Sequence, residues 1–225
     1  MIIAIDGPAG TGKGTIADLL AKKLGYTYID TGAMYRCITL KMLNNNISLD
    51  DIEKIKELLE STSIEFMNIS NKQHVFLDDE DVTEDIRTPK VNEAVSPTSS
   101  IVEIRKKLVE MQRKLGENQN VVMEGRDITT VVFPNADVKI YLTASPEVRA
   151  QRRYDEMIKK GISITYEDTL KSITERDNID MSKPVGALKI ADDAIVIDSS
   201  NLTIDEVYEK IHEIILEKID WVKEK

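Results

Sequence analysis

The sequence predicts an α/β fold: a five-stranded parallel sheet flanked by helices, with a β-containing insert. Three observations carry this. Short apolar runs bounded by turn residues recur at 1–6, 26–29, 120–124, 137–142 and 194–197, as buried parallel strands require. Segments with helical spacing lie between them, and strands alternating with helices imply a sheet covered on both faces. Residues 63–88 instead lose helical periodicity and show two β-like runs, 63–68 and 72–78, the pattern of a hairpin.

The elements follow in order. After the first strand comes a glycine-rich turn, Gly7 to Gly14, then a helix with Ile16, Ala17, Leu19, Leu20 and Leu24 on one face and Gly25 as its stop. Thr31 is expected to cap a helix from about Ala33 to Leu43, and Asp50 to open another through Ile52, Ile55, Leu58 and Leu59. An acidic stretch, Asp78 to Asp85, follows the β-like runs. Pro89 to Val95 is a short helix that Pro97 should break. Ile101 to Leu115 has helical spacing and ends at Gly116. Ser145 before Pro146 is a helix start, cap then proline at the first position. That helix stops at Gly161. Thr165 with Asp168 resembles a capping box for a helix to about Asp177, and Thr203 with Glu206 another for the last helix. There is no internal repeat and no obvious linker.

Composition narrows the functions. The chain has 225 residues, 41% hydrophobic and 31% charged, which suits a globular protein with a substantial core. No apolar run is long enough for a membrane span. Met1 to Ile5 is apolar but stops at Asp6 without a basic leader, so a signal peptide is not expected. The single cysteine, Cys37, fits a reducing, cytoplasmic setting, and His74 and His212 lie too far apart in sequence to suggest a histidine metal site. A net charge of −10 argues against non-specific nucleic-acid binding, though a locally basic pocket for a small anion remains compatible with it.

Chemistry begins at Gly7, Pro8, Ala9, Gly10, Thr11, Gly12, Lys13, Gly14 and Thr15. Glycines let backbone amides turn inward, and with the following helix N-terminus they form a concave phosphate site. Lys13 can then reach the outer phosphates. The match to Gly-x-x-x-x-Gly-Lys-[Ser/Thr] is imperfect, because Gly14 follows the lysine and Thr15 comes one later. The usual hydroxyl ligand of Mg²⁺ is thus missing from its standard position, and no metal ligand is assigned.

A regulatory GTPase is excluded: no Asp has Gly three residues later, and the nearest base-reading match, Asn71-Lys72-Gln73-His74, carries His in the wrong place. Basic residues instead recur near strand ends and on the following helices. Arg36 follows the second strand and Arg126 with Asp127 the third. Arg149, Arg152 and Arg153 share one helix, and Arg176 lies on the next. In open α/β sheets ligands bind outside the carboxyl ends of the strands, where Arg36 and Arg126 fall.

These residues carry a family resemblance. The loop resembles that of nucleoside monophosphate kinases. Asp30 to Arg36 (DTGAMYR), Glu84 to Thr88 (EDIRT), Glu124 to Asp127 (EGRD), Val131 to Pro134 (VVFP), Glu175 to Asp177 (ERD), Ala191 to Ala194 (ADDA) and Ile197 to Ser199 (IDS) together resemble bacterial-type cytidylate kinase. The resemblance covers nearly the whole chain. It implies a phosphate-loop core (1–60, 97–149 and 179–225), a nucleotide-gripping insert (61–96) and a mobile helical lid (150–178). It further implies that Ser96, Arg105 and Asp127 read cytosine while Thr31, Arg36 and Arg126 lie by the sugar and monophosphate. The base assignment makes chemical sense: cytosine offers an N4 amine to a carboxylate, and its N3 and O2 suit Arg105. Asp127 could otherwise be an ion-pair partner for Arg126 or a helix cap. The family's usual monophosphate-gripping arginine is here Lys183, which keeps the charge but loses the bidentate fork.

The implied reaction transfers the γ-phosphoryl group of ATP to CMP or dCMP with Mg²⁺ on the ATP phosphates. Lys13, Arg126 and Arg153 are the expected catalytic groups. A monomer is expected, with small nucleotides as its only partners and no nucleic acid or membrane. A kinase for a hydroxyl acceptor, which would need a base such as Asp30 or Asp127, and a nucleotide-binding module without turnover are the alternatives.

Overall fold

The computed structural model describes residues 1–70 and 72–223. Asn71, in the tetrapeptide weighed above as a base reader, lies outside the described residues. Two compact units divide at 28/29 and 115/116: Met1–Tyr28 with Gly116–Lys225, and Ile29–Leu115.

The first unit is built on the predicted parallel sheet. The sheet's strands are β1 (Ile2–Asp6), β2 (Thr27–Asp30, whose last two residues fall in the second unit), β6 (Val121–Gly125), β7 (Val138–Thr143) and β8 (Ile195–Asp198), in the order β2-β6-β1-β7-β8. β1 sits centrally, pairing in parallel with β6 from Ile2 opposite Val121 to Asp6 opposite Gly125, and with β7 on its other side. A central strand is buried on both faces, so it needs the unbroken apolar run it has: Ile3, Ala4 and Ile5 are wholly buried. Against the sheet pack α1 (Lys13–Leu24) and α8 (Ile204–Lys223), which contribute Ile16, Ala17, Leu20, Val207, Ile211 and Ile215 to one apolar core. Two further helices, α6 (Pro146–Lys159) and α7 (Tyr166–Ser182), pack on each other.

Helix starts in this unit follow their sequence signals. Ser145 accepts from the N–H of Val148, and Thr165 from that of Asp168. Thr203 and Glu206 bond reciprocally, a complete capping box. α7 runs five residues beyond the expected end, to Ser182, because Asp177 and Asp180 are buried and paired rather than helix-ending.

The second unit contains α2 (Thr31–Asn44), α3 (Ile52–Glu60), α4 (Pro89–Thr98), α5 (Val102–Gly116, apart from its last residue) and a three-stranded antiparallel sheet of β3 (Ile64–Ile69), β4 (Lys72–Leu77) and β5 (Glu80–Asp81). Its own core gathers Met34, Ile38, Ile55, Ile86, Ile104 and Leu108. Four local expectations are corrected here. Asp30, not Thr31, caps α2, accepting from the N–H of Ala33 at 2.9 Å. Asp51, not Asp50, caps α3, reaching Lys54 three residues on. Pro97 does not break α4: it sits in the last turn, where its missing N–H costs one bond, and the helix ends a residue later. The acidic stretch forms a third strand, because Asp78 and Asp79 both adopt positive φ (50° and 70°) and make a tight hairpin turn that aspartate tolerates.

Gly7, just after β1, has φ 153°, and a Cβ there would lie 2.0 Å from the carbonyl oxygen of Leu142 in β7. Gly7→Ala must therefore push two adjacent strands apart. We expect it to lower the unfolding free energy by about 2 kcal/mol or more, seen as a reduced Tm; an unchanged Tm would show that the strand ends yield without cost.

Candidate active site

The residues between β1 and α1 form the loop anticipated above. Gly12, at φ 92°, is the N-cap of α1 and brings no side chain to accept the helix's first N–H groups. Those donors and the positive end of the helix dipole suit an anion. Lys13 opens the helix, is 5% exposed, and folds back to donate to the carbonyl of Pro8 at 2.8 Å. Gly14 also has a reason. A Cβ there would lie 3.2 Å from Glu124 Oε1 and 3.3 Å from the Tyr28 hydroxyl, so a serine or threonine would crowd that carboxylate, one residue before the end of β6.

The loop is braced from outside by two arginines of α6. Arg149, 3% exposed, donates through Nε to Ala144 and through Nη1 to Ala9, and pairs with Asp177 at 2.7 Å. Arg152 donates to the carbonyls of Thr11 and Ser199. Arg153, the third arginine of that helix and an expected catalytic group, is a third exposed and pairs with Glu156 at 2.8 Å.

Charge is concentrated around Lys13. Burial, then the guanidinium of Arg126, pulls its ammonium down to about 7, with Glu124 and Asp6 acting in the opposite sense. Burial also works against the charge of Arg126, but Asp180 more than compensates and holds its pKa above the ordinary value. One carboxylate serves two cations: Asp180 accepts from Arg126 Nε at 2.8 Å and from Lys183 Nζ at 2.7 Å. Burial alone would raise the Asp180 pKa; Arg126, Lys183 and Arg176 instead hold it well below the carboxylate range. Lys183 is only 8% exposed, so it is not a solvated surface charge.

Asp127 is 4% exposed and begins a π-helical turn, Ile128–Val132, that sequence reading did not anticipate. Its carboxylate makes no capping hydrogen bond, which removes the helix-cap explanation of this residue. Asp6 was also missed as part of this cluster. Wholly buried at the end of β1, it accepts from the N–H groups of Ile128 and Thr129 and from the Thr129 hydroxyl. Burial pushes its carboxyl up to about 6, against these three bonds. A polar residue closing an otherwise apolar strand was the available signal.

In the second unit Asp30 Oδ2 accepts from Arg36 at 2.7 Å. Although Asp30 is buried, Arg36, the Ala33 N–H and Arg87 hold its pKa low. A carboxylate so occupied is a poor general base, which disfavours a hydroxyl acceptor. Thr31, at the start of α2, is buried. Arg105 donates to the carbonyl of Ser99 at 3.1 Å and lies 5.4 Å from the ring centroid of Tyr35. Ser96 Oγ and Arg36 Nε are buried with no hydrogen-bond partner among the described residues, a costly state that a polar ligand would relieve.

Among the described residues no three His, Cys, Asp or Glu side chains converge as a metal cage. Mg²⁺ characteristically takes one or two carboxylates plus substrate phosphates. Glu124, placed beside Gly14 at the start of α1, fits that role.

Comparison with known proteins places these residues in a family. The model described as Cytidylate kinase matches residues 3–217. A cytidylate kinase of Caldicellulosiruptor saccharolyticus is 52% identical over 212 residues, 94% of each chain, and that of Bacillus subtilis 48% identical over 216 residues, 96% of each. Among solved structures, an uncharacterized protein from Eubacterium ventriosum is similar in fold (TM-score 0.52, 13% identity, 96% of this chain and 98% of that one). With a family model that matches residues 3–217 and relatives about 50% identical over nearly the whole length, the chain belongs to the cytidylate kinase family.

Proposed function

We propose that the chain transfers the γ-phosphoryl group of ATP to CMP or dCMP, giving ADP and CDP or dCDP. The observation that carries this is the buried Lys13 at the head of α1, within electrostatic reach of Arg126, in a chain of this family.

The nucleophile is an oxygen of the CMP phosphate, whose second ionisation lies at about pH 6, so no general base is needed. That oxygen forms the new bond to the γ-phosphorus as the bond to the bridging oxygen of ADP breaks. The obstacle is repulsion between two polyanions. Lys13, Arg126 and Arg153 neutralise the transferring group, and the loop amides of Gly7 to Thr15 hold the ATP phosphates in line. Glu124 would help hold the Mg²⁺ that accompanies ATP, and that ion would supply positive charge for the outer phosphates. Thr31, Arg36, Arg126 and Lys183 bind the sugar and monophosphate of CMP, and Ser96, Arg105 and Asp127 its base. The buried Ser96 Oγ and Arg36 Nε support that assignment, since each is a polar group a nucleotide would satisfy. Residues 61–96 grip the acceptor, and residues 150–178 act as a lid that excludes water, a competing acceptor. No helix among the described residues is long and apolar enough to cross a membrane; we place the protein in the cytoplasm as a monomer.

The test is ADP release with ATP and Mg²⁺ against CMP, dCMP, UMP, AMP, GMP and no acceptor. CMP and dCMP should be the best acceptors, and Lys13→Met should reduce turnover with CMP by about 100-fold or more. Equal rates with and without CMP would reject the proposal. For Lys183, Lys183→Ala should raise the KM for CMP about 10-fold and more than that for ATP, while Lys183→Arg keeps or improves CMP use, because a planar fork matches phosphate better than an ammonium does. If both variants leave CMP kinetics unchanged at fixed ionic strength, monophosphate binding rests on Arg36 and Arg126.

A further inference from the structure

The π-helical turn at Ile128–Val132 has an unusual cap. An aspartate at a helix N-cap ordinarily turns its carboxylate onto the N–H of the second or third helical residue. Asp127 occupies that position but makes no such bond. Its backbone carbonyl receives the N–H groups of Val131 and Val132 at 2.8 and 3.2 Å, so the turn is closed behind it. The first two N–H groups are answered instead by a residue 122 positions away. Asp6 Oδ1 accepts from Ile128 N at 2.9 Å. Asp6 Oδ2 accepts from Thr129 N at 2.7 Å and from Thr129 Oγ1 at 2.7 Å.

We propose that Asp6 is a positioning residue for base selection: by capping this turn from the end of β1, it keeps the carboxylate of Asp127 out of local capping and fixes the Arg126–Asp127 segment to the phosphate-loop strand. The inference rests on the reading of Asp127 as the group that accepts from cytosine N4. Its physical content is competition for one donor. Asp6 occupies the Thr129 N–H, the donor Asp127 would otherwise take. Without Asp6 that buried N–H is orphaned, and an orphaned buried donor is costly enough to recruit the nearest carboxylate. Asp127 holds the N-cap position from which an aspartate ordinarily takes that donor. Asp6 is held in turn by pairing of β1 with β6 and β7, in register opposite Gly125 and Tyr141. The turn thus inherits the rigidity of the sheet centre.

Asp6 also contributes to the field at Lys13, so its loss will disturb ATP use as well. The discriminating readout is therefore the ratio of kcat/KM for CMP to that for UMP. Both acceptors share ATP, Lys13, Mg²⁺ and a phosphate of the same ionisation, so everything but the base cancels. We expect Asp127→Asn to lower the ratio about 10-fold or more, the scale of losing a good base contact, and Asp6→Asn to lower it about 5-fold. The double variant should be no less selective than Asp127→Asn alone, since both act through one carboxylate. Thr129→Val, which deletes one of the three bonds and keeps the turn's backbone, should move the ratio about 2-fold in the same direction and serves if Asp6→Asn does not fold. If Asp127→Asn lowers the ratio while Asp6→Asn and Thr129→Val keep the parent value, Asp6 is a scaffold residue and the inference is overturned. If Asp127→Asn itself keeps the parent ratio, the base reading fails, and the inference with it.

Discussion

Under the proposed function Lys13 must be charged to meet a phosphate, yet it is 5% exposed and lies in the field of Arg126 and Arg176, and burial and both neighbours favour its neutral form. The first unit is arranged around that conflict. Removing a cation from water is expensive unless other groups compensate. Here Glu124 and Asp6 raise the Lys13 pKa, and the carbonyl of Pro8 accepts a hydrogen bond from its Nζ. Asp180 is shared between Arg126 and Lys183, and Asp177 answers Arg149. Lys13, Arg126, Lys183 and Arg149 thus each have an anionic or carbonyl partner within the protein.

The arginines divide the work in a way their clustering alone does not reveal. Arg149 and Arg152 donate to backbone carbonyls at Ala9, Thr11, Ala144 and Ser199, and Arg149 also pairs with Asp177. They tie the phosphate loop to the ends of β7 and β8 and so fix its amides. Close packing enforces this: a Cβ at Gly10 would lie 3.1 Å from that of Arg149. Rigid amides cost little to reorganise when charge develops, which is where electrostatic catalysis gains most. Arg126 and Lys183 instead share one carboxylate, Asp180, whose place phosphate oxygens would take under the proposed function.

The strands of the main sheet were legible because buried central parallel strands are mostly apolar, as Ile2 to Ile5 of β1, Val121 to Met123 of β6 and Ile140 to Leu142 of β7 are. Helix starts were legible where the cap is local, as at Ser145, Thr165 and Thr203. Where two polar residues stand side by side, as at Asp30 and Thr31 or Asp50 and Asp51, propensity does not choose between them; only the reach to the N–H three residues on does. β5 was hidden because Glu80 and Asp81 are held by the turn before them, not by apolar pattern. In the site, the phosphate loop announced itself through glycine spacing and Lys13. The partners of its cations did not. Whether an arginine on α6 faces a phosphate or the back of the loop, and whether Asp6 ends a strand or caps a turn 122 residues away, depends on tertiary pairing that one-dimensional spacing does not encode.

The central claim is that Lys13 sits at the edge of its own ionisation until a polyanion stabilises it. The direct measurement is a titration of the Lys13 side chain by ¹H–¹⁵N or ¹H–¹³C NMR on labelled protein, assigned by its loss in Lys13→Arg, without ligand and with a non-hydrolysable ATP analogue. A midpoint near 7 without ligand, moving well up when the analogue binds, is the result expected, because phosphate charge favours the ammonium form. A midpoint near the ordinary lysine value of about 10.4 in the ligand-free protein would contradict it, and would mean that the carboxylates around Lys13 already neutralise the cluster.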